Sequence, residues 1–443
     1  MPLIVVNYKH CIFTTLEQLS MKKPLFYLFS LGLVFTAWGQ AISPALNQKV
    51  IQWRKEIHQN PELSNREFNT AKKVASHMRS LGIEVKTDIA HTGVVGILKG
   101  KRAGKVIALR ADMDALPVTE RNDLPYKSNV RAKYNGKETG VMHACGHDTH
   151  VAILMGVAEH LAKNNDFAGT VKFIFQPAEE GAPQGEEGGA DLMIEEGVLE
   201  HPKVDAIIGL HINSGTHVGK VRYRPKGIMA SSQRFVIDVK GKQAHGSAPW
   251  MSVDPVVIAA QIINGLQTII SRNAELTKEA AVISVGSIHA GIRFNIIPET
   301  AQMIGTIRTL DANMKEVIRE RMKSLVPAIA QAYGGEATVD IQDGAPITYN
   351  DPELTAQMVP TLERVLGKEN VELVNAVTGA EDFSYFQKEI PGFYFFLGGT
   401  PPEVEESDAP SHHTPDFYID NNALIHGVKV MSALIRDYLN STK

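Results

Sequence analysis

Three short apolar runs in this chain each end in side chains able to hold a cation. The run at residues 106–109 leads through Arg110 to Asp112 and Asp114, the run at 170–175 leads to Glu179 and Glu180, and the run at 206–210 stops at His211. Between them lie segments 149–163 and 191–199, whose apolar residues recur at helical spacing. Strand alternating with helix implies a mostly parallel sheet flanked by helices. In such sheets ligands bind beyond the carboxyl ends of the strands. Acids and histidines placed at random would not return repeatedly to that one edge, so the edge is where chemistry is expected.

The stretch at 141–150, VMHACGHDTH, supplies the densest group of donors: His143, Cys145, His147, Asp148 and His150. Any one of them alone reads as a surface residue or a helix cap. Together, with Gly146 letting the backbone turn among them, a thiolate beside imidazoles suits a borderline-soft cation such as zinc. Spacing does not choose between His143, His147 and His150. The pair Asp112/Asp114, taken alone, reads as loop capping.

Size and charge narrow the class. With 443 residues, 44% of them hydrophobic, the chain has material for two or three domains with large cores. A formal charge of -4 with no basic stripe argues against nucleic acid and anionic membranes as partners, leaving small molecules. At the start, Lys22 and Lys23 precede an apolar run at 24–37, followed by Ala37-Trp38-Gly39. That pattern predicts a secretory signal peptide within residues 1–39, with Met21 as the true start. The run is too short for a stable membrane anchor, so the mature protein is expected in the periplasm or the medium. Removal of the peptide takes away Cys11 and leaves Cys145 as the only cysteine.

The segment at 229–344 reads as an insertion. Predicted strands near 235–239, 281–288, 299–309 and 338–342, with helices at 254–272 and 315–333, follow a βαββαβ order, that of a ferredoxin-like α+β module. The flanking parts, 45–228 and 345–443, then form one α/β domain, which ends with a helix at 352–366, a strand at 393–397 and a closing helix. Glu381 and Asp382 read either as supports for a site or as caps of the following helix. His160, His201, His217 and His289 have no constellation around them and read as surface residues.

RADMDALP, MHACGHDTH, QPAEEG, GLH, GKQAHGSAP, NIIPE, GTIRT, TGAEDFS and HHTPDF, in that order, resemble the motif series of the co-catalytic-metal amidohydrolases related to aminoacylases and carboxypeptidases. The similarity is greatest to the branch of hippurate hydrolases and indole-3-acetyl-amino-acid hydrolases. The resemblance implies a catalytic α/β domain, an inserted lid used for dimerisation, hence a homodimer, and two divalent metal ions (Zn, Mn or Co). It implies Cys145, His147, Glu180, His211 and His413 as metal ligands, with Cys145 shared, Glu180 and His413 on one ion and His147 and His211 on the other. His413 is preferred to His412 because it directly precedes Thr-Pro. Glu179 falls on the general base, His245 on an oxyanion donor from the lid, and Asn295 and Arg308 on substrate-carboxylate contacts. Asp114 is expected to orient a ligand from behind. The expected reaction is hydrolysis of N-acyl or N-aroyl amino acids to free amino acid and carboxylic acid. A dipeptidase or carboxypeptidase activity is the variant reading, and a non-catalytic binder of amino-acid conjugates the alternative from another class.

Overall fold

The structure is a computed structural model that describes residues 41–441. The expected signal peptide and Cys11 lie outside the described residues. In chain order the longer elements are α1 (Pro44–Gln59), α2 (Phe68–Ser80), β1 (Glu84–Ile89), β2 (Gly93–Lys99), β3 (Arg102–Asp112), α3 (His147–Lys163), β4 (Ala168–Gln176), β5 (Ala206–His217) and β6 (Val221–Tyr223). There follow β7 (Ser231–Lys240), α4 (Pro255–Asn273), β8 (Ala281–Ala290), β9 (Thr300–Thr309), α5 (Ala312–Ala332), β10 (Glu336–Asp343), α6 (Pro352–Leu366), β11 (Val371–Leu373), β12 (Gly392–Thr400) and α7 (Ala423–Asn440).

The central sheet runs β1-β2-β4-β3-β5-β12-β6-β11. Its middle, β4-β3-β5-β12, is parallel, and antiparallel pairings occur only toward the edges. β2 and β3, neighbours in sequence, do not pair, because β4 lies between them. The middle strands are apolar residue after residue since both faces are covered. Leu109, Phe173, Leu210 and Phe395 pack against α1, α3 and α7, while Ala108, Ile174, Ile207 and Tyr394 belong to a core on the opposite face. Register then levels the strand ends: Asp112 pairs with Gln176 across β3 and β4, and His211 pairs with Phe396 across β5 and β12.

The helix that continues the metal-competent stretch is the most enclosed among the described residues. In α3 every residue from His147 to Leu161 is buried. His160 is therefore not a surface residue, contrary to the expectation from sequence; burial depresses its pKa to about 4. Gly146 begins this helix at φ 92°, and a Cβ there would stand 2.3 Å from the Ile212 side chain, so the turn requires glycine. The segment expected as a helix at 191–199 is helical only over Gly189–Glu195.

Residues 231–343 form a second sheet, β8-β9-β7-β10, antiparallel throughout. α4 and α5 cover one face of it, burying Phe235, Ile237, Ile262, Leu266, Met303 and Met322 in a core separate from the central one. This is the strand order of a ferredoxin-like module. Among the described residues no helix is long and apolar enough to cross a membrane.

Arg54 anchors the start of α3. Buried with 1% of its surface exposed, it donates from Nε to Asp148 at 3.0 Å and from Nη1 to the Ile419 carbonyl at 2.8 Å and Asn421 at 2.9 Å. Asp148 also receives His58 at 3.0 Å. Removing the guanidinium would leave this carboxylate buried with one partner fewer. Arg54→Ala is expected to lower unfolding free energy by about 3 to 5 kcal/mol. A chemical denaturation midpoint unchanged from wild type would refute that.

Candidate metal centre

The loops beyond the levelled strand ends bring five of the expected residues to one point. Cys145 Sγ lies 3.4 Å from His211 Nε2 and 3.3 Å from His413 Nε2, and His413 Nε2 lies 3.0 Å from Glu180 Oε1. His147 Nε2 stands 3.9 Å from Glu179 and 4.0 Å from Glu180. Donor atoms converge in two groups that share the thiol: Cys145 with His147 and His211, and Cys145 with Glu180 and His413. Two ligands each about 2.1 Å from a tetrahedral ion stand roughly 3.4 Å apart, so the spacings observed are those of coordination edges.

Hydrogen bonds fix which nitrogen each ring offers. His147 donates from Nδ1 to Asp114 at 3.2 Å, and His211 donates from Nδ1 to the Ile212 carbonyl at 2.6 Å. Both rings are thereby left with a lone pair on Nε2, facing the cluster. His150 is excluded, although spacing had left it equivalent. Its Nδ1 bonds Asp112 at 2.5 Å and its Nε2 accepts the Ile212 amide at 2.8 Å, which uses both nitrogens. His143 is buried with neither nitrogen hydrogen-bonded and belongs to none of the groups. His412 approaches Cys145 Sγ at 3.7 Å but stands outside both groups.

Asp114 ties His147 to the turn that carries Glu179 and Glu180. Besides His147 it receives Ser64 Oγ at 2.8 Å and the amides of Glu179 and Glu180, each at 3.1 Å. Glu179 and Glu180 follow Ala178, whose φ of 53° is unusual for a residue with a side chain. The Ala178 amide is held by the buried Glu67 at 3.0 Å. Burial, with the charge of Asp114, pushes Glu67 up to about 8.

Negative charge crowds this hollow. Burial raises the Glu179 carboxyl well above its ordinary range, reinforced by Glu381, Glu180 and Asp382. Burial likewise raises the Cys145 thiol, with Glu180 and Glu179 adding to it. Burial opposes a charged His147, yet Asp112 and Asp114 prevail and raise its pKa to about 10 in the chain by itself, so Nε2 offers its lone pair once a cation takes the place of that proton. Buried acids in this number are costly unless cations share them. The protein's own contribution is Arg110, buried and bonded to Asp112, Glu381 and Asp382 at 2.5, 2.9 and 2.7 Å. Gln176 and Tyr394 complete that network, at 2.7 Å from Asp382 and 2.5 Å from Glu381. Sequence reasoning missed Arg110, Gln176, Tyr394 and Glu67. A signal existed for Arg110, a charge at the end of an otherwise apolar strand.

A cavity of about 740 Å³ opens over the cluster and is lined by Cys145, Glu179, Glu180, His211 and His413 together with Arg308 from β9 and an apolar wall that includes Met229, Val377 and Phe396. Arg308 bonds Thr306 Oγ1 at 3.2 Å and, among the described residues, has no acidic partner. His245 and Asn295 are not on this lining. The Asn295 carbonyl accepts the Gly246 amide at 2.9 Å instead, and His245 Nδ1 accepts Ser247 Oγ at 2.7 Å.

Residues 108–437 match the sequence profile of peptidase family M20/M25/M40. The chain belongs to that family. A thermostable carboxypeptidase of Saccharolobus solfataricus is 43% identical over 88% of this chain and 95% of its own length. A hippurate hydrolase of Campylobacter jejuni is 39% identical over 84% of this chain and 91% of its own. The crystal structure of a dinuclear metal-binding M20 peptidase from Bacillus subtilis superposes with a TM-score of 0.76 at 34% identity, covering 90% of this chain and 100% of that one. Membership places this M20 chain among metal-dependent amidohydrolases acting on linear amides. Asp114→Ala frees the His147 ring and both glutamate amides at once, and metal affinity is expected to fall about 10- to 100-fold. Competitive zinc titration of the variant would contradict this if it matched wild type.

Proposed function

We propose that this M20 chain is an exported amidohydrolase that cleaves the amide bond of N-acyl or N-aroyl amino acids, releasing the free amino acid and a carboxylic acid. The reading is carried by one juxtaposition: Glu179, outside both groups that share Cys145, borders the same cavity as Arg308, a cation without an acidic partner among the described residues. A proton acceptor and a carboxylate receptor thus face one substrate-sized space.

The residues present fit a pair of divalent ions, Zn, Mn or Co. His147 Nε2 is buried without a hydrogen bond, and the set of thiolate, imidazoles and carboxylate matches such ions. In this proposal Cys145, His147, His211, Glu180 and His413 hold them. When bound, the ions supply Lewis acidity, bringing the pKa of water from about 15.7 toward ~7 and polarising the scissile carbonyl. Glu179 accepts the proton of the attacking water on its carboxylate and returns it to the leaving amine. Arg308 grips the substrate carboxylate with its planar guanidinium, and the wall of Met229, Val377 and Phe396 receives the acyl group.

His245 and Asn295 are proposed to reach the substrate from the lid. Since they lie off the cavity lining, a lid closure or a second copy of the chain must present them. A homodimer through residues 231–343 is supported by the edge strand β8 and by Trp250, Ile292 and Phe294, which are 80%, 101% and 97% exposed. Light scattering should return twice the mass of the mature chain. Export is supported by Lys22, Lys23 and the apolar run after them, and fractionation of a tagged full-length chain tests it.

A peptidase activity is the second reading, favoured by the carboxypeptidase relative. The deciding assay is release of amino acid from hippurate, N-acetyl-methionine and a dipeptide panel with added Zn, Mn or Co. Tight metal binding with no turnover on any of these would leave only a binding protein. Glu179→Gln is expected to keep its metal and to lose about 10²- to 10⁴-fold in kcat, whereas Cys145→Ala loses metal. Arg308→Ala is expected to raise KM for acyl amino acids while metal content stays unchanged, and an unaltered KM would remove Arg308 from the substrate.

A further inference from the structure

His412 stands beside the proposed ligand His413 and has no part in the reading above. Its ring is held on three sides. Phe417 packs against it at 4.7 Å between ring centroids, His211 meets it edge-on at 5.2 Å, and the backbone amide of Ser214 points at its Nε2 at 3.2 Å. An amide N–H can only donate, so Nε2 is the acceptor and carries the lone pair. The proton of the neutral ring is then on Nδ1. That nitrogen faces Cys145 Sγ at 3.7 Å. The tautomer is set by a strand, since Ser214 belongs to β5, the strand that also carries His211.

We infer that His412 is a positioning residue that donates its Nδ1–H to the Cys145 sulfur, setting the place and electron density of the thiolate that the proposed metal groups share. The inference rests on the reading of Cys145 as a metal ligand. An N–H directed at a thiolate draws charge from the sulfur, so less of it passes to whatever the sulfur binds, and a bound cation stays a stronger Lewis acid. The donor also gives direction. Cys145 Sγ already has His211 at 3.4 Å and His413 at 3.3 Å, both presenting Nε2 as proposed ligands, and His412 adds a neighbour outside the metal groups that approaches the sulfur with its Nδ1 proton. Preference for His413 over His412 as a ligand is thereby explained by geometry. His413 reaches both Cys145 and Glu180, whereas the second nitrogen of His412 is spent on Ser214.

The test uses the mature protein loaded with cobalt, whose thiolate-to-metal charge-transfer band reports the sulfur directly. A hydrogen bond lowers the sulfur lone pairs and raises the energy of that band. His412→Phe keeps the packing and removes the donor, so the band should move to longer wavelength with metal content undiminished, and kcat should fall on the order of tenfold with little change in KM. His412→Asn, whose amide nitrogen takes the place of Nδ1, should return the band toward wild type. His412→Gln, whose amide reaches the place of Nε2 instead, should behave as His412→Phe does, and it serves if the phenylalanine variant fails to fold. A band that is the same in wild type, Phe, Gln and Asn variants overturns the inference. So does loss of metal from His412→Phe, which would make His412 a ligand. Absence of any sulfur band in the wild-type cobalt protein is a different failure, that of Cys145 as a ligand, and the inference falls with it.

Discussion

Asp114 is the contact on which the site's arrangement rests. One carboxylate, fully enclosed at the end of β3, receives the His147 ring, two consecutive backbone amides at Glu179 and Glu180, and the Ser64 hydroxyl. Three segments far apart in sequence are thus referred to a single pair of oxygens. Because the imidazole and the backbone of both glutamates are tied to the same anion, their positions are coupled. The burial that makes an unpaired carboxylate expensive is what makes this one so restrictive.

Around that clamp the charges do not balance within the described side chains. Arg110 answers Asp112, Glu381 and Asp382, and Arg54 answers Asp148, but Glu179 and Glu180 have no comparable partner. Burial and mutual repulsion drive the Glu179 carboxyl and the Cys145 thiol toward their neutral forms in the chain by itself. Divalent cations reverse that tendency, since their charge favours thiolate and carboxylate over the protonated groups. The electrostatics and the orphaned Nε2 of His147 therefore argue in the same direction, from independent observations.

The two sheets contribute differently to the cavity. The central sheet presents rigid, backbone-anchored groups from the ends of β3, β4 and β5 and from the loops after them. The second sheet contributes Arg308, through a strand whose register with β7 and β8 holds it in place. His245 and Asn295 belong to that same sheet's loops, but His245 is engaged by Ser247 and the Asn295 carbonyl by the Gly246 amide.

Much of this was legible along the chain because strand ends and helix starts are local events. The apolar runs before Asp112, Glu179 and His211, the glycine before His147 and the βαββαβ order all follow from period and turn chemistry. Which histidine presents a free nitrogen was not legible. His143, His147 and His150 are distinguished only by Asp114, Asp112 and the Ile212 amide, partners between 33 and 62 residues away whose approach depends on sheet register. The burial of His160 and the pairing of Arg110 with Glu381 and Asp382 depended on packing in the same way. By itself the sequence determined which donors this protein owns and at which edge of a parallel sheet they emerge, because those follow from short-range conformational preference. Only the tertiary structure decided which lone pairs face one another, because a ring nitrogen is free or taken according to the hydrogen bond that a distant strand makes to its other side.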